Sequence, residues 1–84
     1  MEILVLQAGW VVVGKPRREG DTVIIDKAAV IRRWGTDSGL GQLAAEGPRS
    51  ATQLDAAPRS IKVHPLSILL SFPCDEKAWA KWAM

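Results

Sequence analysis

Arg32 and Arg33 stand directly before Trp34, and Gly35-Thr36-Asp37-Ser38-Gly39-Leu40-Gly41 follows at once. Guanidinium forks pair phosphate oxygens two at a time. An indole offers a stacking face to a base, worth about 1–3 kcal/mol. The spacing predicts a helix from about Gly39 to Glu46. Its first turn would present unpaired N–H groups and partial positive charge to an anion. These are the parts of a nucleotide or anion pocket, with Arg32, Arg33, Trp34, Thr36, Ser38, Gly39 and Gly41 as ligand-binding residues. The glycines match neither the P-loop nor the dinucleotide fingerprint, since no Gly-Lys-Ser/Thr follows and no βαβ unit surrounds them. The competing reading is a capped turn. In it Thr36, Asp37 or Ser38 caps the helix, Trp34 packs inward and the arginines are solvated.

Little else in the chain suggests catalysis. The carboxylates are scattered, and only Asp37 lies within the stretch above. Thr36 and Ser38 have no His or Lys close in sequence to activate them. His64, followed by Pro65, reads as a structural loop histidine, with a ligand-donor role as the alternative. Cys74 is the only cysteine and His64 the only histidine, which excludes an internal disulfide and argues against a metal set. No enzyme, cofactor or metal is therefore expected.

The elements that position these residues read mainly as strands. Glu2–Leu6 is a short apolar strand, and Trp10–Lys15, centred on three valines, is the next. Pro16 cannot donate to a ladder, so the strand ends or lies at an edge there. Arg17–Asp21 is a polar hairpin connection, and Thr22–Asp26 is the return strand. Lys27-Ala28-Ala29 is a possible kink before Val30–Trp34. Alternation puts Arg32 on the same face as Trp34 and Arg33 on the other, unless the strand bulges. Gly47-Pro48 stops the internal helix, whose buried stripe is Leu40, Leu43 and Ala44.

Beyond the helix, a short strand falls around Thr52–Leu54 and a half-buried one over Arg59–Val63. Leu66–Phe72 reads as a strand buried on both faces. Asp75 would cap a final helix over Glu76–Met84, with Trp79 and Trp82 on one face. The fold class is α+β, mainly β: a small curved antiparallel sheet or barrel with one short internal helix and a C-terminal helix, in a single domain over residues 1–84.

Composition narrows the function classes. A chain of 84 residues buries a marginal core, and with disulfides and metal set aside, homo-oligomer formation is the remaining route to stability. Trp79 and Trp82 either close the core or form the subunit interface. Four Trp beside one Phe and no Tyr is a skewed set, and two or three of the four are expected in the core. A net charge of +2 is too small for sequence-independent nucleic-acid binding. No apolar run approaches membrane-spanning length, and residues 1–6 lack the basic region of a signal peptide. One free cysteine fits a reducing cytoplasm.

Gly9-Trp10-Val11-Val12-Val13-Gly14, Val30-Ile31-Arg32-Arg33-Trp34-Gly35-Thr36, Gly39-Leu40-Gly41, Leu43-Ala44 and Gly47-Pro48 together resemble a family of small phage- and prophage-encoded proteins of unknown function. Pro73-Cys74-Asp75 and Trp79 fit the same pattern. The resemblance implies an accessory phage protein acting in an infected bacterial host. By analogy with small β-rich phage proteins, it implies blockade of host defence by sequestering a cyclic-nucleotide or ADP-ribose-type signal. A protein–protein inhibitor of a host defence complex, or a virion accessory protein using Trp79, Trp82 and a strand edge, is the alternative. A small nucleic-acid-binding barrel would show steep salt dependence.

Overall fold

The computed structural model describes residues 1–82. Six strands form one antiparallel sheet: β1 (Glu2–Leu6), β2 (Val11–Glu19), β3 (Thr22–Arg33), β4 (Gln53–Ala56), β5 (Ile61–Val63) and β6 (Ile68–Pro73). Helix α1 (Gly39–Glu46) joins β3 to β4, and 3-10 turns cover Gln7–Gly9 and Pro65–Ser67. The strand order is β4-β3-β2-β1-β6, with β5 also paired to β3. The architecture is mainly β, as the alternation predicts. It is an open sheet, however, and not a closed barrel: β6 is one edge, and β4 and β5, each paired with β3, form the other.

The β2–β3 hairpin is the spine. Glu19 pairs with Thr22, leaving a two-residue turn of Gly20-Asp21. Gly20 has φ +60, the first-position requirement of a type II′ turn. Pro16 does not end β2. Pairing with β1 stops at Gly14, so Pro16 falls where only β3 flanks the strand and a missing N–H leaves no ladder bond unmade.

The kink in β3 is a β-bulge. Val13 pairs with Ala29 and Lys15 with Asp26, so β3 carries one extra residue, and Lys27 has φ +51. Gly14 lies opposite. A Cβ there would come within 2.5 Å of the Ile25 Cγ2 and 2.8 Å of the Asp26 carbonyl. Beyond the bulge β3 pairs with β4, and before it with β5.

Alternation along the strands feeds two apolar clusters, one on each face of the sheet. Ile3, Val11, Val13 and Ile31 pack with Leu40, Leu43, Ala44 and Trp79. Leu4, Leu6, Val12, Val23, Ile25 and Ala28 form the second, flanked by Ile61, Val63 and Ile68.

Two expectations change. The apolar run Leu66–Phe72 is not buried on both faces. Leu66 falls in a 3-10 turn, β6 pairs only with β1, and Leu69 and Leu70 are exposed. An uninterrupted apolar run looks the same in sequence whether its strand lies inside a sheet or at its edge. Secondly, residues 76–82 form hydrogen-bonded turns and not the expected helix; Ala83 and Met84 lie outside the described residues. Asp75 still caps the segment, its Oδ2 accepting from the Ala78 N–H at 2.9 Å. The bonding then mixes an i–4 contact (Trp79 N–H to the Asp75 carbonyl, 3.2 Å) with an i–3 contact (Trp82 N–H to the Trp79 carbonyl, 3.0 Å).

Candidate functional site

The Arg32–Gly41 stretch runs off the end of β3 and into α1 across an exposed rim. Two glycine geometries let it turn. Gly35 has φ +69, and a Cβ there would run into the Ala51–Thr52 peptide. Gly39 has φ +83 and starts α1. The loop is tied down from the far side of the helix. The Thr52 hydroxyl donates to the Trp34 carbonyl at 2.7 Å and accepts from the Arg49 N–H at 2.9 Å.

The hydroxyls do not cap α1 in the expected way. Thr36 Oγ1 donates to the Gly39 carbonyl at 2.8 Å, and the Ser38 side chain makes no cap bond. Instead Gln42 reaches back one turn, and its Oε1 accepts from the Ser38 N–H at 2.6 Å. One donor at the helix start is therefore already taken by the helix's own side chain.

The side chains divide into two sets. Trp34 is 43% exposed, and its ring borders Gly39, with Cζ3 3.9 Å from where a Cβ would sit. Gly41 instead borders Phe72 of β6, so the two glycines do not share one cradle. Arg32 is held by Asp55 of β4 across a 3.2 Å ion pair, exposed on both sides. Arg33 is also exposed and makes no ion pair with the described residues. The β3–β4 register shifts between Ile31 and Arg33, so this end of the strand bulges, and simple alternation does not decide which arginine accompanies Trp34.

Sequence reasoning missed two members of this rim. Trp10 is 59% exposed. Continuing the Val12–Val30 register by two residues sets Trp10 opposite Arg32. Asp55 controls Arg32 from the neighbouring strand. The signal for Trp10 was its place just ahead of the valine strand, where a bulky residue caps a strand end and need not enter the core.

The other candidates are spoken for. Trp79 is 1% exposed and packs in the first cluster, while Trp82 is half-buried against it, so two of the four tryptophans serve the core. Arg17 is held by Asp26 at 2.6 Å and Glu19 at 2.9 Å, which raises its pKa further. Arg49 pairs with Glu46 and holds that carboxyl below its usual range. The His64 Nδ1 accepts from the Leu66 N–H at 3.1 Å, the structural loop role. Burial pushes the Cys74 thiol up to about 11, so at neutral pH it is protonated and a poor nucleophile. Three cavities of about 230 to 260 Å³ lie away from the rim. The rim itself is a surface with stacking faces and cations.

Among the described residues, no three His, Cys, Asp or Glu come together to hold a metal, and no helix is long and apolar enough to cross a membrane. No protein-family model matches the chain, and no curated protein matches it at significant similarity.

Proposed function

We propose that this chain is a phage-encoded, non-enzymatic binding protein that sequesters a small nucleotide signal, of the cyclic-nucleotide or ADP-ribose class, in the infected bacterial cytoplasm and so blocks host defence. One observation carries this reading. Two tryptophans stay exposed at the end of the sheet where Arg32 and Arg33 emerge, and the Trp34 ring lies beside the first residue of α1. A planar base has the Trp34 indole to stack on beside the start of α1, and two guanidinium groups emerge from the adjoining end of β3 to meet a phosphate. The protonated Cys74 and the already bonded His64 favour binding without chemistry.

Titrating the protein with cyclic dinucleotides and ADP-ribose while following tryptophan fluorescence tests this. Stacking on Trp34 quenches emission saturably, and Trp34→Phe removes most of that change. A flat titration across both ligand classes contradicts the reading.

A further inference from the structure

The two edges of the sheet are unlike. On one side lie β4, four residues with Asp55, and β5, three residues with Lys62. β6 has six residues, Ile68–Pro73, none of them charged. Protein sheets usually protect a free edge with charges, prolines or short strands. On β6 only Pro73 serves that end, while Leu69 and Leu70 are 60% and 48% exposed, and Leu66 just before the strand is 80% exposed.

The backbone of this edge is oriented by one bond. The Cys74 N–H donates to the Met1 carbonyl at 2.9 Å, which makes that pair a hydrogen-bonded one. Antiparallel ladders alternate. Phe72, paired with Ile3, therefore turns its N–H and C=O toward β1, and Ser71 turns both of its groups away, to the open edge. Pro73 also faces outward, where its missing N–H leaves nothing unbonded. A bulge between Val5 and Leu6 shifts the register at Leu69, so Ser71 is the outward residue with both main-chain groups clearly free.

From this geometry we infer that β6 is a self-association edge. A second copy of the chain pairs its own β6 antiparallel, about a two-fold axis through Ser71. The Ser71 N–H of each copy donates to the Ser71 carbonyl of the other, and Leu70 of each meets Phe72 of the other. A two-fold axis brings a residue near its own copy, so a charged edge would repel itself. β6 is uncharged and β4 is not. The exposed parts of Leu69 and Leu70, the exposed leucines within the strand, amount to roughly 200 Å² per copy. Even with the strand backbones and Phe72 added, the dimer stays below the roughly 1,200 Å² of standard interfaces, in the size class of weak, reversible complexes. This inference is independent of nucleotide binding.

Sedimentation equilibrium over a wide concentration range tests it, with an engineered cross-link beside it. The wild-type chain gives a monomer–dimer equilibrium. Leu70→Lys and Ser71→Pro each weaken it at least tenfold, while Gln53→Lys, at an exposed position on the other edge, leaves it unchanged. Ser71→Cys oxidises to a covalent dimer, and Leu66→Cys does so far more slowly. This gain of a bond keeps the test sound if a loss variant misfolds. A wild-type monomer at every concentration overturns the inference. So does a dimer that survives both edge variants, or equal cross-linking at the two cysteine positions.

Discussion

The indole N–H of Trp79 donates to two carbonyls at the end of α1, those of Leu43 at 3.2 Å and Ala44 at 3.1 Å. The last carbonyls of a helix have no partner within it, so this one side chain both fills the core and satisfies the helix end. The Asp75 N–H, donating to the Ala44 carbonyl at 2.9 Å, completes the joint. Trp79→Ala removes the largest fully buried side chain. It is expected to cost about 3–5 kcal/mol in urea unfolding, as large aromatic truncations do. A loss below about 1 kcal/mol would mean that the final turns contribute little to the fold.

Gly14 makes the bulge in β3 possible. Gly14→Ala places a methyl 2.5 Å from Ile25 Cγ2 and 2.8 Å from the Asp26 carbonyl, and both must shift. Overpacking of this kind costs about 1–3 kcal/mol. Gly20→Ala meets no atom and strains only its own left-handed backbone, at about 1 kcal/mol. Thermal melts should rank Gly14→Ala as the more damaging. The reverse order would show that the bulge yields easily.

These two sites also show what the sequence could reveal. The hairpin was legible because valine runs, Gly20 and the Lys27 break each leave a local signature, but Arg17–Glu19, expected in the connection, extend β2 and leave only Gly20-Asp21 as the turn. The bounds of α1 were legible because the capping types Thr36-Asp37-Ser38 stand just ahead of it and Gly47-Pro48 just past its end. The exposure of β6 was not, because which strand lies at an edge is decided by long-range pairing. The residues 76–82 were misread for a related reason. Their spacing is helical, but the anchoring of Trp79 to α1 sets their path. The rim residues were found as a stretch, whereas Trp10 and Asp55 reach it only through strand register.

Cys74 should make stability fall in alkali. Burial raises its thiol from an ordinary value near 9 to about 11. The folded state therefore holds the proton while the unfolded chain releases it, so this contribution is fully present below about pH 9 and is lost as pH rises toward 11. Unfolding free energy measured across that window should decline more steeply in the wild type than in Cys74→Ala. Equal slopes would show that the thiol is accessible.

Under the proposed function, Asp55 competes with the ligand phosphate for Arg32, which it holds in an exposed ion pair. Asp55→Asn breaks the 3.2 Å pair and should raise nucleotide affinity several-fold. It should hardly alter stability, since exposed pairs contribute about 0.2–1 kcal/mol. Arg32→Ala should lower affinity roughly 10- to 100-fold, the worth of one charged hydrogen bond. Calorimetric titration of both variants checks this. Unchanged affinity in Arg32→Ala would remove that residue from the site.

The central claim is that the chain holds an intact small nucleotide. Native mass spectrometry of the purified protein, alone and with a panel of cyclic oligonucleotides and ADP-ribose derivatives, tests it most directly. The account predicts that one ligand class adds whole-number increments to the protein mass and leaves on activation at its original mass. A protein that stays bare across the whole panel, or a ligand released as cleavage products, would contradict it.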